Sequence, residues 1–444
     1  MTSQHMQIDL PAPRQGLRST IKKPRYMHYN RLITLIFLIN AAALGYGFTQ
    51  AWWTGSGIAL QVLADLTLFN LSLAILARQQ YVINFLFWLF TRAPTSWPLS
   101  VRWSLGKVYH YGGLHKGGAL AGTLWFIVFA GSASYQFHQN LPGMSSTSLA
   151  LIYGLLALLV LIVVMAQKNI RARYHDGFER THRFGGWLSL ILFWTLTLSF
   201  TDDQRGVQSF SDALTTSTGF WLLCLLTASI ILPWLRLRRV PVQVDTPSNH
   251  VAVATFDHGV TPFAGSSTAI SLNPLMEWHH FANAPSPGKD GFRLVISRAG
   301  DWTGNFIEQK PSHVWVKGIP QAGVAYIEVL FKKVIYVATG SGIGPVLPHL
   351  LAQEVPIHLI WSTREPRKTY GDALVDEILA AQPDAHIWDT DANGKPDLVK
   401  LAYQACQAHG AEAVICISNE KLTWQVVYGM ESRGIPAYGA IWDS

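Results

Sequence analysis

Charge is scarce in this chain. Asp, Glu, Lys and Arg make up 14% of its 444 residues, whereas hydrophobic residues make up 49%. That composition excludes an ordinary soluble enzyme. Cysteine is scarcer still, and Cys224, Cys406 and Cys416 have no metal-site spacing. One lies in an apolar run and two in the polar half, which argues against a disulfide framework. Tandem repeats and low-complexity tracts are lacking. The first apolar run begins near Leu32, too far along for a cleaved signal peptide.

What is present divides sharply. Apolar runs occupy about residues 32–235 and a polar half follows, a length sufficient for two or three domains. The net charge of +7 comes from basic residues gathered beside the apolar runs. That pattern points to a membrane surface and away from nucleic acid.

Six segments reach the length of about 20 residues that a bilayer crossing needs: 31–51, 57–77, 114–137, 148–167, 184–201 and 215–235. Tyr81–Phe90 is too short to span and is expected at the interface. Arg14, Arg18, Lys22, Lys23, Arg25 and Arg31 precede the first span. Arg78, Arg92, Arg102 and Lys107 lie between the second and third, and Lys168, Arg171, Arg173, Arg180 and Arg183 between the fourth and fifth. Arg236, Arg238 and Arg239 follow the sixth, whereas loops 138–147 and 202–214 carry only Arg205. Positive charge on one side predicts an integral membrane protein of the plasma or an inner membrane, with both termini and the soluble domains in the cytosol.

The expected organisation is a basic segment (1–30), a six-helix transmembrane bundle (31–239), a β-barrel (240–332) and an α/β domain (333–444). The barrel reading rests on short alternating segments such as Phe292–Ile296 and His313–Lys317, separated by Gly and Pro. After Lys333, apolar strands at Val334–Ala338, Ile357–Ser362, His386–Asp389 and Ala413–Ile417 alternate with helices, as in a doubly wound fold.

Val334–Ala338 runs into Thr339-Gly-Ser-Gly-Ile-Gly-Pro345. Glycines at a strand-to-helix turn let backbone N–H groups approach a pyrophosphate. Thr339, Gly340, Gly342 and Gly344 are therefore candidate NAD(P)H contacts; packing glycines at a tight turn are the bland alternative. The next strand ends at Arg364, followed by Arg367, Lys368 and Tyr370. A cation there can hold a 2′-phosphate, which favours NADPH over NADH.

Two histidines stand at the cytosolic ends of spans, in His115-Lys-Gly-Gly and His182-Arg-Phe-Gly-Gly. Facing imidazoles can ligate a haem b axially, and the glycines would leave room for the macrocycle. The alternative is interfacial histidines bonded to lipid phosphate or backbone, and His110 and His175 compete as ligands. Asp65, with Gln61 and Asn70 near it, is an ionisable residue inside a span, hence a functional candidate or a structural hydrogen bond.

Glu277-Trp-His-His-Phe-Ala-Asn-Ala284 and Gly300-Asp-Trp-Thr303 resemble the flavin strand of ferric reductases and NADPH oxidases, within the ferredoxin reductase superfamily. The resemblance implies FAD, or FMN, held by His279 at its phosphate or ribose and by Phe281 at its isoalloxazine. Ala282 stands where a Ser or Thr bonds flavin N5, so Asn283 or a backbone N–H would substitute. Gly318–Gly323 is the candidate for the phosphate loop. Cys416-Ile-Ser-Asn419 replaces Cys-Gly-Pro near the nicotinamide, Gly394-Lys-Pro-Asp397 resembles a Gly-Arg-Pro-Asp loop, and Trp442 would cover the flavin. Ferric reductases carry a second histidine pair about 14 residues on; here Phe129 and Leu196 stand there, so at most one haem is expected.

The tail Val427–Ser444 resembles the TmpA-type integral membrane flavoproteins of fungi, which also occur fused to adenylating synthetase-like enzymes. The resemblance implies electron flow from NADPH through flavin to a cytosolic-side haem or a small substrate, and an adenylating partner. A transmembrane ferric or oxygen reductase and a non-catalytic flavin-binding sensor are the competing expectations.

Overall fold

The computed structural model describes residues 9–53 and 59–440. They form two compact units. One holds residues 29–79 and 111–235; the other holds the N-terminal segment, 80–110 and 236–440.

The first unit is helical. Among the described residues five helical stretches are long and apolar enough to cross a membrane: His28–Thr49, Leu99–His138 (whose residues up to His110 belong to the other unit), Ser146–Met165, His175–Gln204 and Thr218–Leu235. Leu60–Leu76, in the predicted second span, qualifies only together with Gln80–Phe90, across a bend of 73°. The core is aromatic and aliphatic, with Leu63, Trp125, Phe126, Phe129, Ile152, Leu155, Leu196 and Phe200 buried together. Small residues let two helices approach closely. A Cβ at Gly118 would lie 2.6 Å from the Asn70 carbonyl oxygen, and one at Gly122 would lie 2.8 Å from Leu71 Cγ. Polar groups there satisfy one another: Asn40 and Asn70 exchange amide hydrogen bonds of 2.9 Å, and Trp125 Nε1 donates to Asn40 Oδ1 at 2.7 Å.

In the second unit, two antiparallel sheets enclose one core. The larger runs β1 (Arg238–Pro241), β7 (His313–Val316), β4 (Ser266–Ser271), β5 (His279–Ala282), with β8 (Gln321–Ala322) also on β4. The smaller joins β2 (Gln243–Asp245), β3 (Val251–Phe256) and β6 (Phe292–Ser297). A bridge between Ala284 and Arg293 links them. Among the described residues the expected barrel is therefore two sheets sharing Val240, Ala254, Phe256, Ile270, Leu294, Phe306 and Val314.

The α/β half is a parallel sheet ordered β11 (His386–Asp389), β10 (Ile357–Thr363), β9 (Val334–Thr339), β12 (Ala413–Ile417), β13 (Ala437–Gly439). β9 is wholly apolar up to its last residue and buried on both faces, as a central parallel strand must be.

Residues 80–110, predicted as part of the membrane domain, cluster with the second unit, and buried ions explain why. Arg102 is buried; its guanidinium donates to both Glu412 carboxylate oxygens at 2.7 and 3.2 Å and to the Leu330 carbonyl at 2.8 Å. Lys107 donates to the Ala437 carbonyl at 2.7 Å and pairs with Glu431 at 2.5 Å. Glu431 also accepts from Trp103 Nε1 at 2.9 Å, and Lys22 stands 3.8 Å away. The Tyr438 hydroxyl donates to the Trp103 carbonyl at 2.9 Å. Burial alone would push the Glu431 carboxyl up, but the Lys107 and Lys22 charges and two hydrogen bonds outweigh it and hold the group below its ordinary value.

Removing one partner of a buried pair costs about 3–5 kcal/mol. Lys107→Met should therefore strip hydrogen-exchange protection from residues 97–110 and 437–439; unchanged protection would dismiss the clamp. Because the Glu431 pKa is depressed on folding, its stabilisation is complete above the ordinary 4.5 and is lost as pH falls through the lower folded value. Protection factors across this contact, corrected for the intrinsic pH dependence of amide exchange, should be flat from about pH 6 to 8 and fall in acid.

Candidate cofactor-binding site

The sheet order reverses between β9 and β12, and ligands of such sheets bind beyond the carboxyl ends at that reversal. There β9 ends at Thr339 and turns through Gly340–Gly342 into the helix Ile343–Ala352. Gly340 has φ +49°, which a side chain would strain. A Cβ at Gly342 would collide with the Ile417 carbonyl oxygen at the end of β12. Gly344 lies against Val295, a Cβ there meeting the Val295 carbonyl oxygen at 3.4 Å, so the helix packs on β6. The helix thus begins with its first N–H groups at the crevice, an arrangement that accepts a phosphate.

The turn is held from below. Trp361 is buried in β10 and donates its indole N–H to the Gly340 carbonyl at 3.0 Å. Tyr370 packs edge-on against Trp361, ring centroids 5.0 Å apart, with its hydroxyl between Ser297 and Thr363. Burial, the main cause, raises the Tyr370 pKa. This corrects the expectation that Tyr370 contacts the nucleotide; at 1% exposure it supports the turn.

Arg364 ends the same strand, mostly exposed, with Asp391 at 3.8 Å. Its neighbours are engaged: Arg367 binds Asp372 and Asp376 at 2.9 and 2.8 Å, and Lys368 binds Glu365 at 2.8 Å. Arg364 is therefore the cation of this group best placed to receive a phosphate. In the Gly394–Asp397 loop, Asp397 caps the helix Leu398–His409 through Val399 N and Lys400 N.

Cys416 requires a correction. Its side chain is fully buried in the apolar core with Val337, Val426 and Met430, and burial pushes its thiol up to about 12. Two residues later, Ser418 reaches the crevice, its hydroxyl 2.5 Å from that of Thr339. Ser418 escaped the sequence reading; the two-residue repeat of a strand does not say which residue stands at its tip.

The strand expected to hold a flavin is β5, and its side chains are engaged within the protein. Glu277 joins the two sequence motifs, since one carboxylate oxygen accepts from Ser271 Oγ, Leu272 N, Asn273 N and, at 3.3 Å, Trp302 Nε1. His279 packs on Trp302 at 4.1 Å and Phe281 stacks on it at 6.0 Å. Asn283 is buried and donates to Ser266 Oγ at 2.9 Å, which corrects its expected place at flavin N5. In the Gly318–Gly323 loop, Ile319 N and Ala322 N donate to Gln80 and Asn84, so those amides stand where a phosphate was expected.

The remaining candidates lie elsewhere. Asp65 accepts from Gln61 at 2.9 Å, a bond within one helix. His115 and His182 are brought together, ring centroids 6.1 Å apart and tilted 62°. His115 Nδ1 lies 2.9 Å from the Ala74 carbonyl, which can only accept, so Nε2 keeps its lone pair. The glycines beside His115 leave less room than expected: a Cβ at Gly117 would meet Ile36, and Gly118 packs on Asn70 and Ala74. Trp442 lies outside the described residues.

A family model for the C-terminal domain of adenylate-forming reductase 03009 matches residues 324–444. Two curated proteins of Coprinopsis cinerea are similar over nearly the whole chain. Adenylate-forming reductase 03009 is 43% identical over 98% of this chain and 42% of its own length; adenylate-forming reductase 06235 is 40% identical over 100% and 43%. The chain thus spans less than half the length of these relatives. Among solved structures, it is similar to a ferredoxin NADP+ reductase from Neisseria gonorrhoeae with bound FAD and NADP, at 15% identity, covering 46% of this chain and 98% of that one, TM-score 0.38. Ferredoxin-NADP+ reductase from Plasmodium falciparum with 2'P-AMP follows at 11%, 46%, 94% and 0.35. These values leave the functional argument to the residues themselves.

A charge-assisted hydrogen bond is worth about 1.5–3 kcal/mol, a factor of about 10–100 in affinity. Arg364→Ala should weaken NADPH by that factor and leave NADH nearly unchanged, as read by fluorescence titration. An equal loss for both nucleotides would place Arg364 outside the 2′-phosphate site. Gly342→Ala should abolish binding of both.

Proposed function

We propose that this chain is a membrane-attached NAD(P)H-dependent flavoprotein oxidoreductase that works with an adenylate-forming partner. The glycine-turn crevice at the β9/β12 reversal carries the reading. Its helix N-terminus at the end of β9, the Thr339–Ser418 hydroxyl pair and Arg364 suit a phosphorylated dinucleotide. An adjoining antiparallel domain with a Glu277–Trp302 knot supports a flavin beside it, although the side chains nominated for the flavin are turned to other partners. The names of the two relatives support the adenylate-forming partner.

Chain parity supports membrane crossing with both termini on one side. Lys22, residues 97–107 and residues 412–438 touch one another within the soluble unit, so the chain crosses an even number of times between each pair of them. Four long apolar stretches lie between residues 111 and 236. Between residues 28 and 80, evenness requires Leu60–Leu76 to cross with His28–Thr49; its 17 residues are the lower limit for a crossing.

Export of electrons across the membrane is disfavoured, since Phe129 and Leu196 are packed into the core where outer ligands would stand. A single haem b on His115 and His182 is the second reading. Two imidazoles on one iron, each nitrogen about 2 Å away, put ring centroids about 6 Å apart, close to the spacing seen. The filled glycine faces oppose it.

Anaerobic NADPH titration of the purified protein should bleach a flavin absorbance. A flavin that no nicotinamide reduces would sink the enzymatic reading and favour a binding sensor, whereas a reduced b-type Soret band lost in His182→Ala would establish the haem. For topology, Ser209→Cys should react with an impermeant thiol reagent only from outside intact cells, and Ser248→Cys only after permeabilisation. The reverse pattern would overturn the orientation.

A further inference from the structure

The opposite edge of the parallel sheet holds a second constellation. His358 is the second residue of β10, Asp384 stands just before β11, and His409 ends the helix Leu398–His409. Their ligand atoms all lie within 4.8 Å of one another. The two imidazoles stack at 3.9 Å with 20° between planes, and His358 Nδ1 is 3.4 Å from Asp384 Oδ2. His358 is buried, and its Nδ1 makes no well-formed hydrogen bond, whereas Asp384 is exposed and His409 half-buried.

We propose that His358, Asp384 and His409 form a zinc(II) site that ties three chain segments together at the amino-terminal edge of the sheet. Two imidazoles and a carboxylate are a zinc donor set, leaving a fourth position for water. Donor atoms around a tetrahedral zinc lie about 3.4 Å apart and the two ring centres about 5 Å apart, so binding splays the imidazoles from their 3.9 Å stack. The segments are already held in register. Gln382 accepts from Leu359 N at 2.9 Å and donates to the Ile357 carbonyl, fixing the loop that carries Asp384 against the start of β10. The C-terminal end of a twelve-residue helix at His409 adds a favourable dipole for a cation. The site faces away from the nucleotide crevice, so its part is to brace the sheet.

The test uses the full chain in detergent, stripped with a chelator and titrated with Zn2+ alone by calorimetry, with Co2+ as a spectroscopic probe. One equivalent should bind, raise the unfolding temperature and, with Co2+, give the intense visible bands of a four-coordinate ion. His409→Ala should weaken binding about tenfold or more, the scale reached even by outer partners of a site. Asp384→Asn, an exposed change that keeps the fold, should do the same while NADPH binding persists. No bound equivalent, or equal affinity in both variants, would overturn the proposal; the latter would assign the metal to other histidines among the 16.

Discussion

A charge can leave water only if another charge and a full set of hydrogen bonds receive it. That constraint governs the soluble unit. Arg102 and Lys107 belong to a segment lying in sequence between two apolar helices, yet both are buried against the α/β domain by Glu412 and Glu431. Around Glu431 gather Lys107, Lys22, Trp103 and, through Trp103, Tyr438. The last strand of the parallel sheet, the N-terminal segment and the 97–110 segment are thereby one piece, although more than 300 residues of chain separate the ends of several of these bonds. Helix Gln80–Phe90 completes the contact by lending Gln80 and Asn84 to the 319–322 backbone.

This attachment gives a second meaning to loop charge. Arg102 and Lys107 count toward a positive-inside pattern in the sequence, yet in the structure their charges are taken up by Glu412 and Glu431.

At the crevice, the polar machinery is built from inside the fold. Trp361 and Tyr370 are invisible from the nucleotide side, yet one holds the Gly340 carbonyl and the other wedges the strand ends. In the antiparallel sheets, Glu277 and Trp302 act on the framework, and Asn283 donates to Ser266. The departures from the ferric-reductase pattern at Ala282 and Cys416 therefore sit in a frame that keeps its shape.

By itself the sequence determined whatever local pattern controls. The apolar helices follow from uninterrupted runs, four of the five parallel strands from short apolar bursts between helices, and the glycine turn from its place directly after β9; the short edge strand Ala437–Gly439 escaped the reading. The pairing of His115 with His182 was also legible, because each heads an apolar helix. Only the tertiary structure decided which side chains of those elements are free. Tyr370, Cys416 and Asn283 carry suitable groups at suitable spacings, but packing turned each toward a buried partner. The same holds for residues 80–110, whose apolar pattern fits an interface while its cations find their partners more than 300 residues away. Long-range electrostatic pairing leaves no periodicity in a chain, and so no local reading can recover it.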